Sequence, residues 1–353
     1  MNTLCENIKN MKGISPAVDV RNDLIYKTEY VINSYFAIGH FEAKEHTLNY
    51  LFHIITMDSP GKELMGAMFS VTDETTKEYY SDVKVCPIDS NSISTDRFFL
   101  KAPNGKMCGD IDLINISAEM DRAKLDIEIR PEGYPIFNGG TGRFHLANLD
   151  IYQYSIPHAK TVGTLTLNDE IYDVDCMTWF DRQWEMPNPK MPIPVKKALG
   201  WFVNIFTDGG KKMKVPSWGW MDINLDNGDV MSVWFEAGPK GEDCWATVMH
   251  PDGTQKKVFL NPIVAQAEDW WKSPDSDYAY PMKYHVQCPE LDADLIVLCN
   301  PKEQELVFEE FPTLSHYEGA SQVSGVYKGK NVTGYCYVEN IGFWDESMLN
   351  HHK

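Results

Sequence analysis

Four side chains able to exchange protons or stabilise charge lie within six residues near the middle of the chain: Trp179, Asp181, Arg182 and Trp184. The residue types around them favour a β-strand. Because side chains alternate faces along a strand, Trp179 and Asp181 are predicted to share one face and Arg182 to lie on the other. An indole ring opposes ionisation of a neighbouring carboxyl group, so Asp181 is a candidate proton donor. A surface pair of Asp181 and Arg182 beside a core tryptophan is the alternative that this spacing leaves open.

Hydration or isomerisation of an alkene also needs a base or a positioned water molecule. His158 is the second catalytic candidate, because a histidine can accept a proton near neutral pH. Glu318 is the third, either as a second acid or as an ion-pair partner of Arg182. A structural role is the alternative for His158 and Glu318, and for several of the predicted substrate contacts. Those contacts are Trp179, Trp184, Tyr154, Arg182, Trp218, Trp220, Asp222, Trp234 and His53.

Tryptophan is concentrated in one part of the chain. Seven of the ten tryptophans lie in the 67-residue window from Trp179 to Trp245. Each could be a core ring, but together they favour an aromatic-lined cavity of the kind that binds apolar ligands. Such rings would stabilise a developing cation by roughly 1–2 kcal/mol each when desolvated.

The composition excludes several classes of partner. The 353-residue chain has a formal net charge of −19 and lacks a long run of Lys and Arg. Nucleic acid is therefore disfavoured, since its binding uses clustered basic residues, and so are anionic membrane surfaces. A neutral or apolar small molecule fits this charge better. The oligomeric state is not indicated.

The cysteines and the N-terminus favour a cytoplasmic location. The eight cysteines are scattered, and the two closest, Cys288 and Cys299, are eleven residues apart, so reduced thiols are predicted. The first residues lack the apolar stretch of a signal peptide, and no apolar run is long enough to form a membrane helix. Neither metal-ligand spacing nor a nucleotide-binding or serine-hydrolase motif occurs, so no metal and no cofactor are predicted.

Most of the sequence has the residue types of short β-strands separated by turns. This pattern favours a sandwich or barrel. Helical periodicity is weak, with one possible short helix at 263–272 and another within 194–206. Prolines and lysines interrupt the pattern at 185–216. We expect a domain boundary near 190–215, and a lid over a binding site is a further hypothesis for this segment.

Six segments between residues 133 and 339 form a recognisable series of motifs. They are 133–142 (GYPIFNGGTG), 154–167 (YSIPHAKTVGTLTL), 179–184 (WFDRQW), 218–228 (WGWMDINLDNG), 317–325 (YEGASQVSG) and 332–339 (VTGYCYVE). Together they resemble the lipocalin-like carotenoid 1,2-hydratase (hydroxyneurosporene synthase) family, and kievitone hydratase and the decalin-forming Diels–Alderases look like relatives of that family. The resemblance spans roughly residues 130–345, and the motifs occur in the family order.

The resemblance implies an all-β fold of two lipocalin-like domains, 1–195 and 196–353, with a ligand pocket between or inside them. It also implies a cofactor-independent enzyme that hydrates, isomerises or cyclises an apolar or polycyclic molecule such as a terpenoid, polyketide or flavonoid. Asp181 corresponds to the acid thought to protonate the alkene. The chain departs from the family at 45–51, where two aromatic residues are missing, and at Glu185, where glycine is usual. A Diels–Alderase-like pericyclase and a non-catalytic carrier of a hydrophobic ligand are the alternatives.

Overall fold

The structure is a computed structural model that describes residues 3–11, 13–59, 62–147, 149–185, 217–238, 241–309, 311–342 and 344. The chain divides into two compact units. The first consists of Met1–His145 and Leu149–Leu199, and the second of Leu146–Asn148 and Gly200–Lys353. Each unit is built around one antiparallel sheet, which confirms the predicted all-β class with two domains.

The first unit begins with a short helix, α1 (Leu4–Asn10), followed by a twelve-stranded sheet. Its strands are β1 (Ile32–Ala43), β2 (His46–Ser59), β3 (Lys62–Asp73), β4 (Glu78–Pro87), β5 (Phe98–Ala102), β6 (Gly105–Asp110), β7 (Leu113–Glu119), β8 (Ala123–Pro131), β9 (Ile136–Phe137), β10 (Arg143–Leu146), β11 (Leu149–Leu167) and β12 (Glu170–Glu185). They are hydrogen-bonded in the order β4-β3-β2-β1-β12-β11-β8-β7-β6-β5, and β9 and β10 also pair with β11.

The second unit contains a ten-stranded sheet. Its strands are β13 (Ser217–Leu225), β14 (Val230–Gly238), β15 (Gly241–Met249), β16 (Gln255–Phe259), β17 (Glu268–Lys272), β18 (Ala279–Cys288), β19 (Ala293–Cys299), β20 (Glu305–Leu306), β21 (His316–Tyr327) and β22 (Lys330–Ile341). The order is β16-β15-β14-β13-β22-β21-β19-β18-β17, and β20 also pairs with β21. The two units share a plan, because in each the first strand pairs with the last, β1 with β12 and β13 with β22.

Alternating burial shows how each sheet forms. Strand β8 alternates strictly between buried and exposed residues, as expected when one face covers a core and the other faces solvent. The buried faces of the first sheet meet in one apolar cluster that includes Val71 of β3 and Leu100 of β5. A second cluster fills the other unit and includes Val233 and Leu295. Each sheet therefore curls around its own core.

The helix predicted at 263–272 is wrong. Only Val264–Gln266 form a single 3-10 turn, and Glu268–Lys272 form strand β17, which pairs with β18. The Glu242 carboxylate accepts backbone N–H bonds from Ile263, Val264 and Ala265, each 2.8 Å long, and so caps the N-terminus of this turn. The boundary predicted near 190–215, the lid hypothesis beyond Glu185 and the helix within 194–206 lie outside the described residues.

Two further expectations concern the cysteines and the helices. All eight cysteines are free thiols, and five of them are buried. Among the helices that the structure describes, none has the length and apolar character needed to span a bilayer.

Candidate functional site

Asp181 lies on β12, between two neighbouring strands of the first sheet. It stands directly opposite Phe36 of β1 and Ser155 of β11. The residue is 5 % exposed. Phe180, its neighbour on β12, belongs to the apolar cluster of the first unit, whereas the apolar residues on the same face as Asp181, Trp179 and Phe36, do not. Because side chains alternate along a strand, Asp181 lies on the sheet face that is turned away from this core.

Donors reach both oxygens of the Asp181 carboxyl group. The indole Nε1–H of Trp179 donates to Oδ1 over 2.8 Å, and the amide Nε2–H of Gln153 donates to Oδ2 over 2.8 Å. The predicted pairing of Trp179 and Asp181 on one face is thus present. The contact is made by the indole N–H, however, and an N–H donor stabilises negative charge on a carboxylate.

Gln153 leaves one acceptor open beside this carboxyl group. Its Nε2 must face Asp181, because turning the amide would place two acceptor oxygens against each other. Its Oε1 then has no hydrogen-bond partner among the described residues, although Gln153 is 1 % exposed. A buried amide oxygen of this kind is suited to accept a hydrogen bond from a ligand or from water.

His53 lies in the same cross-strand row, opposite Phe36. Its Nε2 is 2.8 Å from the Ser34 hydroxyl, and its ring contacts Phe36 edge-on with centroids 5.0 Å apart. Phe36 thus separates His53 from Asp181 in the row. The predicted contact His53 therefore lies in the same row as Asp181, on β2, with β1 between it and β12.

Arg182 points into the core of the first unit, on the face opposite Asp181. Its side chain donates to the Asp23 carbonyl (2.6 Å), the Gln183 carbonyl (2.7 Å) and Asn33 Oδ1 (2.7 Å). The suggested ion pair with Glu318 is therefore replaced by three neutral acceptors of the first unit. The guanidinium also lies 4.3 Å from the ring centroid of Tyr35.

Tyr154 and Trp184 share this core face. The Tyr154 hydroxyl donates to the Val20 carbonyl over 2.9 Å, and the Tyr154 and Trp184 rings meet edge-to-face. The Trp184 ring lies 5.0 Å from the Arg182 guanidinium. Among the predicted substrate contacts, Tyr154, Arg182 and Trp184 thus form a group of their own, separated from Asp181 by the sheet.

His158 lies at an irregularity of β11. The pairing of β11 with β12 shifts between Ile156 and Ala159, so His158 sits in a β-bulge. The residue is half-buried, and burial lowers the pKa of its imidazole. No hydrogen bond between the His158 ring and Asp181 occurs within the part of the chain that the structure describes.

Glu318 belongs to the second unit, on β21, and is completely buried. It stands opposite Glu339 of β22 and 3.5 Å from the Nε2 of His316. Burial raises the pKa of the Glu318 carboxyl well above its usual range, and the charge of Asp222 acts in the same direction. The structure thus groups Glu318 with other titratable residues of the second unit.

The remaining predicted contacts lie on one face of β13 and β14. Trp220 stands opposite Trp234, with ring centroids 6.4 Å apart, and both rings are 2 % exposed. Trp218 is half-buried, and Asp222 accepts a hydrogen bond from the backbone N–H of Tyr337. A surface groove of about 240 Å³ in this unit, bordered by residues such as Asn261 and Asp292, contains none of the predicted site residues.

Three residues near these groups were missed by the sequence analysis. Gln153 carries no sequence signal beyond its strand position. Glu339 could have been found, because the Lys328-Gly329 turn joins β21 to β22 and places residues at equal distances from it opposite each other. Glu185 was noted only as a departure from the family, yet burial raises the pKa of its carboxyl to about 7.

Curated relatives include a dehydratase. The chain is 23 % identical over 238 residues to the dehydratase asqC of Emericella nidulans, which corresponds to 65 % of this chain and 61 % of that protein. The chain thus spans less than two thirds of the length of this relative.

Solved structures share the fold over nearly the whole chain. Kievitone hydratase from Nectria haematococca has a TM-score of 0.74 at 20 % identity, with 93 % of this chain and 94 % of that chain covered. A protein from Nitrosomonas europaea described as an AttH has a TM-score of 0.75 at 16 % identity, with 94 % and 100 % covered.

The family assignment rests on the greater part of the chain. A family model described as AttH-like matches residues 56–343. Together with the relatives above, this match confirms the resemblance to lipocalin-like hydratases that the sequence motifs predicted. The protein belongs to the AttH-like family.

Proposed function

We propose that the protein is a hydro-lyase that adds water to, or removes water from, a small organic molecule, with Asp181 as a catalytic base. The observation that carries this proposal is the buried Asp181 carboxyl group held by N–H donors from Trp179 and Gln153. The names of the relatives, a dehydratase and a hydratase, point to the same class of reaction.

The hydrogen bonds around Asp181 support one of its two conceivable roles. Trp179 and Gln153 both donate, and donated hydrogen bonds favour the charged form of a carboxyl group. A carboxylate held in this way is better suited to accept a proton than to supply one. We therefore assign Asp181 to the base side of the reaction rather than to the proton donor expected from sequence.

The proposed chemistry follows from this role. In dehydration, Asp181 takes a proton from the carbon next to the one that bears the hydroxyl group. The electron pair of that C–H bond forms the alkene, the C–O bond breaks, and the hydroxyl group leaves as water after receiving a proton from an acid. In hydration, the same steps run in reverse. Protonated Asp181 returns its proton to the carbon, while the conjugate base of the acid takes a proton from the attacking water.

The charge of the chain limits the substrate. A formal net charge of −19 repels anions, so we propose a neutral substrate. The open Oε1 of Gln153 can accept a hydrogen bond, which suits a hydroxyl group of the substrate or the reacting water. An apolar ring system carrying one hydroxyl group or one alkene meets both conditions.

An assay in labelled water tests the proposal with an unidentified substrate. Purified protein is incubated in ¹⁸O-labelled water with a metabolite extract from source cells that lack the gene. Mass spectrometry then follows pairs of compounds that differ by one water molecule. We expect such a pair to interconvert with the wild-type protein and with Asp173→Asn, whose side chain is exposed on the same strand, but not with Asp181→Asn.

Other outcomes would point to other functions. A product with the same mass as its substrate, formed equally well by Asp181→Asn, would identify a pericyclase that only folds its substrate. A compound that stays bound to the protein and is never converted would identify a carrier. Either result would overturn the hydro-lyase proposal.

A further inference from the structure

A tight turn after β9 buries an asparagine of the first unit. Asn138 opens the 3-10 turn Asn138–Gly140, and Gly139 within it has a φ of 72°. A Cβ at Gly139 would lie 3.0 Å from the Cβ of Phe144, so both the backbone conformation and the space require glycine there. The turn follows β9 directly, and β9 pairs with β11 around Ser155. Asn138 is therefore held beside β11, completely buried.

Asn138 and Ser155 are joined by a hydrogen bond. The Asn138 amide lies 2.9 Å from the Ser155 hydroxyl, and both residues are 0 % exposed. Because a hydroxyl group can donate or accept, this bond can form with either end of the amide. If the amide donates, the Ser155 O–H and the amide oxygen are left over; if the hydroxyl donates, an Oγ lone pair and the amide N–H are left over. The far end of the amide has no partner among the described residues, so in either case the pair offers a donor and an acceptor.

This pair stands next to the Asp181 carboxyl group, within the first unit. Ser155 is directly opposite Asp181, and directly opposed residues of antiparallel strands project from the same face with Cβ atoms roughly 4.5–5.5 Å apart. Gln153 lies two residues earlier on the same face of β11. Its Nε2 donates to Asp181, and its buried Oε1 has no partner among the described residues. A carboxyl group, a fixed acceptor and a donor–acceptor pair therefore meet on one face of the first sheet.

The three uncharged side chains are complementary to a hydroxyl group. An anion would be repelled by Asp181, and an apolar group would leave the buried donors and acceptors unpaired. A hydroxyl group both donates and accepts. Its O–H can bond to Gln153 Oε1, while its oxygen accepts from the Asn138–Ser155 pair.

We propose that Asn138, Ser155 and Gln153 form the subsite for the hydroxyl group that leaves in dehydration, so that the substrate is a neutral alcohol. This inference rests on the proposed hydro-lyase function and assigns Asn138 and Ser155 to substrate binding. The leaving oxygen and the hydrogen to be removed lie on adjacent carbons. Ser155 and Asp181 are directly opposed, so one H–C–C–O unit can reach both the subsite and the base. The subsite holds the oxygen in place while the C–O bond breaks, and in hydration it holds the attacking water.

A high-resolution crystal structure of the full-length protein tests the subsite without a substrate. A subsite for an alcohol oxygen should hold one ordered water within hydrogen-bonding distance of Gln153 Oε1 and of the Asn138–Ser155 pair. We expect this water in the wild type and in Ser81→Ala, which changes an exposed serine of β4, and its loss in Asn138→Leu. A protein donor bonded to Gln153 Oε1, or a metal ion in the position of the water, would overturn the inference.

Kinetics with the alcohol found by the labelled-water assay distinguish substrate binding from a structural role. We expect Asn138→Leu and Ser155→Ala each to lower kcat/KM for the alcohol by about two- to tenfold, the usual effect of one neutral hydrogen bond. The deoxy analogue, in which hydrogen replaces the hydroxyl group, should inhibit both variants as strongly as it inhibits the wild type. A distorted site would weaken the binding of alcohol and analogue together. Ser81→Ala is the control, and circular dichroism shows whether each variant is folded.

Two kinetic results would overturn the inference. They are an unchanged kcat/KM in both folded variants, which would make any bound water structural only, and equal losses for the alcohol and the deoxy analogue. Either result, combined with inactive Asp181→Asn, would remove the subsite and leave the hydro-lyase proposal intact. If the wild type itself interconverted no pair of compounds that differ by water, the hydro-lyase proposal would fail and the assignment to a leaving hydroxyl group would fail with it. The crystal structure would still show whether the three side chains bind an oxygen atom.

Discussion

Asp181 and Glu318 are buried carboxyl groups in different units, and they differ in the hydrogen-bond donors that surround them. Asp181 accepts N–H bonds on both oxygens, from Trp179 and Gln153. Glu318 lacks such donors among the described residues and faces a second acid instead. The first environment stabilises charge and the second opposes it, so two carboxyl groups of one chain acquire opposite chemical tendencies. Burial alone does not distinguish them; the donors do.

The largest expected effect comes from removing the negative charge of Asp181, which accepts hydrogen bonds from two donors. Asp181→Asn keeps the size of the side chain but cannot accept a proton. We expect kcat to fall by about 10²- to 10⁴-fold, the usual contribution of a positioned acid or base. The labelled-water assay measures it, with Asp173→Asn as control. A variant that retains more than half of the turnover would contradict the assignment of Asp181 as base.

A smaller effect is expected from removing one donor. Gln153→Met keeps the length of the side chain and deletes the N–H bond to Asp181 Oδ2. A hydrogen bond to a charged group contributes roughly 1.5–3 kcal/mol, so kcat should fall by about ten- to a hundredfold. KM should change less than kcat if Gln153 acts through Asp181. A change confined to KM would instead indicate that Gln153 only binds the substrate.

Glu318, whose carboxyl group lacks N–H donors among the described residues, predicts that the stability of the protein depends on pH. A carboxyl group whose pKa is higher in the folded than in the unfolded state binds extra protons when folded. Stability is then greatest below the unfolded pKa and falls as pH rises toward the folded value, by about 1.4 kcal/mol per pH unit for each extra proton. Urea unfolding of the wild type between about pH 5 and about pH 8 should show this decline, and Glu318→Gln should flatten it.

Glu185 provides an internal comparison for that experiment. Its pKa of about 7 has the same sign, so Glu185→Gln should also flatten the decline, but only up to about pH 7. Glu318→Gln should flatten the decline for the same reason, because burial raises the pKa of the Glu318 carboxyl well above its usual range. A decline that stays unchanged in Glu318→Gln would show that this group holds no extra proton when the protein is folded.

The smallest effect is expected from changing Trp220, the ring that stands opposite Glu339 in the second sheet. Trp220→Phe keeps an aromatic side chain but loses the hydrogen bond from its indole to Ser232. The smaller ring also loses part of its packing against Trp234, so urea unfolding should show a loss of roughly 0.5–1.5 kcal/mol of stability. Trp271→Phe, a partly buried ring that packs against Tyr280, is the control.

The sequence predicted the fold better than the site, for reasons that particular residues illustrate. Alternation along β12 correctly placed Trp179 with Asp181 and opposite Arg182, because a strand has only two faces. The pairing of Glu318 with Glu339 also follows from counting nine residues back from Tyr327 and nine forward from Lys330. The residue of β11 that stands opposite Asp181, Ser155, could not be found by counting from the turn, since the bulge at His158 shifts the register of β11.

Protonation was harder to predict than position. Trp179 was expected to oppose ionisation of Asp181 through its apolar ring, but its N–H points at the carboxyl group. The orientation of an indole depends on rotamers and neighbours that a strand pattern does not contain. Gln153 likewise comes from a strand that only the folded register brings beside β12.

The contacts of Arg182 have a consequence for where the first unit can be cut. The Asp23 carbonyl and Asn33 accept hydrogen bonds from its guanidinium, and the nearby Val20 carbonyl accepts one from Tyr154. The segment before β1 is therefore fastened to the core of the first unit, to which Val20 and Leu24 also belong. A chain trimmed past Asp23 would leave a cation in an apolar interior with an acceptor missing, at a cost on the order of a few kcal/mol. Shortened versions of this domain should therefore retain that segment, and fusion partners should be attached ahead of it.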